Sequence, residues 1–353
     1  GGIATVMRCL HRSLTEHGHK AVSLVAGPTN TVRLASRYEW PDVYEIYLRL
    51  PFVPGSLIKG FIGFWFYLPF SLYALGRFLQ QRETQIVHVH FATIGLFYFA
   101  LLRPWSNWKL VVTVHGSDVY SLPRRSRFYR AFLGLILSRA DSITAVSSDL
   151  LRTLQAMYPN VGLVSSLILN GSPVREPTAP TCRFELSAKL PANYILAVGS
   201  LIERKGYDTL LRAVLLARDC GHHFSVVIAG AGPEAARLMA LAKELNIDNQ
   251  IVFLGEVSHS NIVGLYSMAE FFVHAAREEA FGLVLLEAML CRTAVIATRV
   301  NGIPEFVAHE ETGLLVEPDD ARSLAAAMIR LKEDRELRSG LAQRGHEAVI
   351  KEY

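Results

Sequence analysis

Two glutamates eight residues apart, Glu279 and Glu287, close the run E-A-F-G-L-V-L-L-E at 279–287. Gly282, inside that run, can open a helix reaching about Cys291. The first-turn N–H groups of such a helix, at Gly282, Leu283 and Val284, have no partner within it. With the helix dipole they form an anion site. Glu279 then stands in the loop before the helix, and Glu287 about a turn further along it. A phosphate on the helix start would have a carboxylate on either side, each able to accept hydrogen bonds from sugar hydroxyls. The competing reading is an ordinary amphipathic helix with two solvated glutamates.

A second group lies at 199–206, G-S-L-I-E-R-K-G, directly after the strand-like Y-I-L-A-V. Gly199 permits a tight strand-to-helix turn. Arg204 and Lys205 put two cations at the carboxyl end of a strand, where a diphosphate needs its charge neutralised. Taken alone, the same residues would make a solvated basic turn. A third group is I-A-G-A-G-P-E at 228–234, with Gly230 and Gly232 after a strand and Pro233 at an expected first helical position. The full dinucleotide fingerprint and the P-loop are both absent from the sequence.

In the first half, V-V-T-V-H-G-S-D at 111–118 places His115 just beyond a buried strand. A histidine there can hydrogen-bond a substrate hydroxyl or move a proton. It can equally be satisfied within its own turn. Gly2, just before the first helical pattern, would let backbone approach a phosphate or sugar closely. His88 and His90 alternate with valine in I-V-H-V-H, which assigns at least one of them to packing.

These groups need strands and helices to hold them. Apolar runs at 20–25, 86–90, 110–114, 142–147 and 163–169 are rich in Val and Ile with little alternation. A parallel sheet covered by helices on both faces has this pattern. Helix one shows Ile3, Val6, Met7, Leu10 and Leu14 on one face and ends at Gly18. Prolines at 173, 177, 180 and 191 interrupt the pattern, which resumes at 194–200, 224–229, 251–255, 270–274, 294–298 and 313–316. The expected domains are 1–173, on the acceptor side, and 193–340, binding the nucleotide sugar. A linker spans 174–192, and 341–353 begins a helix crossing back. Two doubly wound α/β domains imply a cleft with ligands beyond the carboxyl ends of the strands.

Composition narrows the classes. The chain has 353 residues, 51% of them hydrophobic, with 36 Lys and Arg against 32 Asp and Glu. The resulting charge of +4 is too small to argue for nucleic acid. Four cysteines show neither C-x-x-C pairing nor zinc spacing, so no metal site is expected and reduced thiols in the cytoplasm fit. From Gly60 to Gly76 no residue is charged, and Lys59 and Arg77 bracket the stretch. It is about the lower limit for a membrane span and Pro69 interrupts it, which makes a true span the least expected reading. Two readings remain: a helix buried against the first sheet, or a helix facing the inner membrane surface near a lipid-linked acceptor. Arg124, Arg125, Arg127 and Arg130 would suit an anionic lipid on the second reading.

In this order the pieces resemble the retaining glycosyltransferase family 4, of the GT-B fold, over essentially the whole chain. The residues that carry the resemblance are Glu279 to Glu287, Gly199 with Arg204-Lys205-Gly206, and Gly230-Ala231-Gly232-Pro233-Glu234. To these are added Val114-His115-Gly116-Ser117-Asp118, Asn170-Gly171 and Gly302-Ile303-Pro304-Glu305. The resemblance implies two Rossmann-like domains facing across a cleft. It implies that Arg204 and Lys205 hold the donor diphosphate and that Glu279 contacts the donor sugar. Glu287 would hold the ribose hydroxyls, and Gly282 and Leu283 would meet the phosphate. His115 would lie near the transferred sugar, and Gly2 beside donor and acceptor. It implies a UDP- or GDP-linked donor, a glycan or lipid-linked acceptor, a role in polysaccharide or glycolipid synthesis, and no cofactor or divalent metal.

The sequence departs from the family at several points. The strand that normally precedes the glycine pair is missing, and the crossing helix stops at Tyr353. Asn301-Gly302 replaces Gly-Gly, and Ala275-Ala276 replaces the common Pro-Ser. Two other functions stay open. One is a GT-B epimerase or phosphorylase, although no lysine stands in a context suited to the pyridoxal cofactor of a glycogen-type phosphorylase. The other is a non-catalytic subunit that binds sugar nucleotides.

Overall fold

Valine- and isoleucine-rich runs without alternation become strands covered on both faces, and this chain builds its main sheets from them. The computed structural model describes residues 2–26, 32–35, 41–48, 57–121, 126–171 and 190–352. The chain divides into two units, one from residues 2–168 and the other from 169 onward. Pro173, Pro177 and Pro180 of the expected linker lie outside the described residues, as do Gly1, Arg124, Arg125 and Cys182. Cys9, Cys220 and Cys291 are free thiols.

The first unit opens with α1 (Gly2–Glu16), followed by β1 (Ser23–Ala26), β2 (Arg33–Leu34) and β3 (Val43–Ile46). These strands form a small sheet in the order β1-β3-β2, with β1 parallel and β2 antiparallel to β3. Next come α2 (Leu57–Gln81), β4 (Ile86–His90), α3 (Phe97–Leu102), β5 (Lys109–Val114) and α4 (Ser117–Tyr120). The unit continues with α5 (Arg127–Leu137), β6 (Ser142–Ala145), α6 (Ser148–Met157) and β7 (Ser165–Leu167). Strands β4 to β7 pair in chain order and run parallel throughout. The run expected at 163–169 yields only three strand residues, because a 3-10 turn over Pro159–Val164 occupies its start. Leu14, expected on the buried face of α1, is exposed, while His11 is buried and bonds the Ser23 hydroxyl at 3.2 Å.

The second unit contains β8 (Ile195–Val198), α7 (Tyr207–Asp219), β9 (Val226–Ala229), α8 (Ala235–Glu244), β10 (Ile251–Gly255) and α9 (His259–Met268). These are followed by β11 (Phe271–His274), α10 (Leu283–Leu290), β12 (Val295–Thr298), β13 (Leu314–Val316), α11 (Ala321–Glu333) and α12 (Arg335–Glu352). Among the described residues its sheet has six strands, all parallel, in the order β10-β9-β8-β11-β12-β13. Counted from its own first strand, that is the 3-2-1-4-5-6 order of a doubly wound sheet. Phe271, Leu211, Val214 and Met328 are buried in one core beneath it. Burying each such side chain contributes about 1.5–3 kcal/mol. Pro233 corrects an expectation. It sits in a turn, and α8 begins only at Ala235 with Glu234 as its N-cap.

The order reverses between β8 and β11. Ligands of doubly wound sheets bind at that switch point, beyond the carboxyl ends of the strands. The loops that follow β8 and β11 there carry Arg204, Lys205 and Glu279.

Candidate active site

The loops of the second unit interlock through bare backbone. Gly230, at φ 150°, lies so close to Gly199 that an added Cβ would strike the Gly199 carbonyl oxygen. Gly206, at φ 63°, stands in the same relation to Ala275. A side chain at either place would meet both strain and a clash, so the approach of these loops requires glycine. Gly199, at the end of β8, donates its N–H to Ala229 at 3.0 Å.

Lys205 ends a short 3-10 turn, Glu203–Lys205, which the left-handed Gly206 joins to α7. Arg277 fixes this turn from the loop after β11. Its N–H donates to the Arg204 carbonyl at 2.8 Å. Its guanidinium donates to the Glu203 carbonyl at 2.6 Å, to Asp208 at 2.9 Å and to Asp319 at 2.7 Å. The turn that carries both expected cations is thus tied to the loop that carries Glu279.

Lys205 and Glu279 form an ion pair, each side chain 16% exposed. His274, the last residue of β11, approaches the same carboxylate oxygen at 2.9 Å. Burial opposes charge on Glu279. The attraction of Lys205 and the His274 hydrogen bond outweigh it and hold the carboxyl well below its ordinary range. Burial also pushes His274 down, so it stays neutral and donates to the carboxylate. Asn301 accepts the Glu279 N–H at 3.3 Å. Arg204 turns the other way. Its side chain is 42% exposed and meets Glu278 at 3.5 Å.

Gly282 caps α10 in the left-handed region, at φ 92°. Among the described residues, the N–H groups of Gly282, Leu283 and Val284 donate to no protein acceptor. A Cβ built on Gly282 would lie 3.5 Å from Cγ of Glu279, so the free helix end adjoins the ion pair. Helix α10 is buried on nearly every side, which overturns the reading with two solvated glutamates. Glu287 is buried and accepts one hydrogen bond, at 3.0 Å, from the equally buried Tyr266 hydroxyl. Burial raises its carboxyl to about 7, and the tyrosine offsets only part of that rise.

The first unit gathers histidines at the carboxyl ends of β4 and β5. His115 Nε2 lies 3.1 Å from His90 Nδ1. His88 Nε2 lies 2.6 Å from the Thr113 hydroxyl. Burial, reinforced by the neighbouring rings, lowers His90 to about 3 and His115 to about 4. Asp118 is wholly buried and accepts N–H bonds from Ala92 at 2.9 Å, His115 at 3.0 Å and Gly116 at 2.8 Å. Burial raises it to about 6 against these bonds. Gly2 opens α1 in this same unit.

The structure therefore brings Lys205, Glu279 and the helix start at Gly282 together, and sets Glu287 in the buried wall of α10. Sequence reading missed His274, Arg277, Tyr266 and the link between His90 and His115. For His274 a signal existed: a polar residue ending an otherwise apolar strand.

Residues 1–166 match the model of Glycosyltransferase Family 4, and residues 179–348 that of Glycosyl transferases group 1. N-acetyl-alpha-D-glucosaminyl L-malate synthase of Bacillus anthracis is 27% identical over 100% of this chain and 90% of its own length. Sucrose-phosphate synthase from Thermosynechococcus elongatus is 25% identical with a TM-score of 0.79, over 99% of this chain and 89% of the other. Anabaena HepE in complex with UDP-glucose shares the fold, with a TM-score of 0.70 and 21% identity over 80% of this chain and 77% of the other. With two parallel-sheet α/β domains matched along their length, the chain belongs to the group 1 glycosyltransferases of family 4 and has the GT-B fold.

Proposed function

We propose that this enzyme moves a sugar from a UDP- or GDP-linked donor to an acceptor hydroxyl, with retention at the anomeric carbon. The observation that carries the reading is the preset charge of Lys205, paired with an ionised Glu279 beside the free N–H groups of Gly282, Leu283 and Val284. Bond cleavage gathers negative charge on the departing diphosphate. A cation and a helix start already in position stabilise that charge without reorganising. Arg204, being exposed, reaches the outer phosphate oxygens. Glu279 is engaged by Lys205 and His274, so it orients sugar hydroxyls and is not the nucleophile. The leaving phosphate takes the acceptor proton in a front-face reaction. Glu287 accepts from the ribose hydroxyls, and neutral His115 hydrogen-bonds the transferred sugar.

On this reading residues 193–340 hold the donor and 1–173 the acceptor, with 174–192 linking them. The UDP-glucose bound by Anabaena HepE supports the donor class at the level of the fold. The acceptor is a glycan or lipid-linked chain in polysaccharide or glycolipid synthesis, met in the cytoplasm at the inner face of the membrane. No cofactor or divalent metal is required.

A panel of UDP- and GDP-sugars tests this by thermal stabilisation, since a ligand that prefers the native state raises its melting point. The stabilising donor is then supplied with acceptors in EDTA, and the anomeric configuration of the product is read by NMR. Stabilisation that persists in Lys205→Ala, or a product with inverted configuration, would sink the proposal.

A further inference from the structure

Helix α2 presents two unlike faces. Phe64, Leu68 and Leu75 are buried against the unit. On the opposite side Ile62, Trp65, Phe66, Phe70 and Tyr73 are 55% to 68% exposed. Their spacing places them along one stripe of the helix. Five large apolar side chains in a row on an outer face mark an interaction surface.

The chemistry around the stripe indicates what covers it. Between Leu57 and Gln81 the only charged residues are Lys59 and Arg77, and α5 carries only Arg127 and Arg130. Neither helix contains an acid. Beneath the stripe, aromatic packing ties α2 to α5: the buried Phe64 meets Trp65 of the stripe at 5.5 Å and Phe97 at 6.0 Å, Phe97 meets Phe132 at 5.5 Å, and Phe132 stacks on Phe128 at 6.1 Å. Arg127 and Arg130, three residues apart, line a cavity of about 620 Å³ with Tyr158 and Asn160. Among the described residues neither arginine makes a salt bridge. No helix among the described residues is long and apolar enough to cross a membrane. Trp, Tyr and Phe beside cations, on a helix that does not span, are suited to the boundary between lipid headgroups and chains.

We propose that the outward face of α2, with Arg127 and Arg130 of α5, docks on an anionic lipid surface. The aromatic side chains enter the interface and the arginines meet phosphate headgroups. This deepens the proposed lipid-linked acceptor and rests on that reading for its purpose, while the surface itself is independent of the donor site.

The test is co-sedimentation of the full chain with vesicles of phosphatidylcholine alone or mixed with phosphatidylglycerol, at low and high salt. The expected result is pelleting with the mixed vesicles that weakens in salt. Trp65→Ser/Phe66→Ser/Phe70→Ser should abolish it. Arg127→Ala/Arg130→Ala should weaken it by about fivefold per arginine. Both variants should melt as the parent does and keep their stabilisation by a nucleotide sugar. Failure to pellet with either vesicle, or undiminished pelleting of the triple variant, would overturn the proposal. So would a parent dimer that the triple variant dissolves, since the face would then join two copies. Pelleting without stabilisation by any nucleotide sugar would instead support the docking face and reject the donor reading.

Discussion

The two units treat ionisable side chains in opposite ways. At the carboxyl ends of β8 and β11 the second unit keeps charges and pairs them, Lys205 with Glu279 and Arg277 with Asp208 and Asp319. At the carboxyl ends of β4 and β5 the first unit suppresses charge. His90 and His115 fall to about 3 and 4, and Asp118 rises to about 6. A buried ion pair pays for its desolvation only when geometry and further hydrogen bonds are good. The second unit meets that condition with His274 and Asn301, and so holds a fixed field, which the proposed function assigns to a diphosphate. The first unit offers hydrogen bonds without a field, which on the proposed function would meet sugar hydroxyls.

The sharpest way to break this contrast is to remove the fixed cation. Lys205→Ala should lower kcat/KM by on the order of a hundredfold or more, the scale of one lost transition-state donor. It also leaves Glu279 buried beside a neutral histidine, so its carboxyl should rise from its depressed value. Near-normal turnover would mean that the pair is structural and that the contrast has no catalytic content.

Glu287 is the exception within the second unit, a buried carboxyl with no cation. Raised to about 7 by burial, its contribution to stability is full below the ordinary carboxyl value of 4.5 and is lost as pH rises through about 7. Ribose hydroxyls donating to it would favour the ionised form, so donor binding should release a proton. Donor affinity should fall by up to about tenfold per pH unit below 7 and level off above it. Calorimetry in two buffers of different ionisation enthalpy counts the proton. Glu287→Gln should flatten the profile, and an unchanged slope in that variant would assign the linkage elsewhere.

A smaller effect is expected where charge positions backbone. Arg277→Lys keeps a cation but loses the fork that spans Glu203, Asp208 and Asp319. The Lys205 turn should loosen, lowering kcat severalfold while KM for the donor changes less. The reverse pattern would make Arg277 a binding residue, not a positioning one.

Much of this contrast was legible in the sequence, for reasons that differ by residue. The apolar runs located the strands of both main sheets because strands buried on both faces have little room for polar residues. The two-residue β2 left no periodicity to read, and so the antiparallel pairing went unseen. The spacing of Glu279, Gly282 and Glu287 located the helix start, because glycine and a free first turn are local properties. Their opposite ionisation was not legible. It depends on His274, Lys205 and Tyr266, which are brought in from other strands and helices. Arg277 looked like any surface cation, since its three acceptors are set by the switch-point topology. Residues 60–76 showed that they were apolar and uncharged, but which side chains face outward emerged only once α2 packed on Phe97 and Tyr98.

The smallest effect tests the neutral half of the contrast. All four tryptophans, Trp40, Trp65, Trp105 and Trp108, lie in the first unit's sequence, so tryptophan fluorescence in urea reports that unit alone. Histidines that stay neutral in the fold but take up protons at 6.5 when unfolded give stability that is full above 6.5 and falls as pH drops towards 4. Asp118 acts with the opposite sign: raised to about 6, it favours the fold below 3.8 and loses that contribution as pH rises through 6. Near pH 5 His88, His90 and His115, all lowered by burial, therefore oppose one aspartate, and unfolding should take up protons on balance. His90→Gln removes one histidine and should reduce the slope by about one proton, at the cost of the His115 contact and the ring contact with His88. A slope left unchanged by this substitution would mean that His90 ionises within the fold. The first unit would then hold charge as the second does.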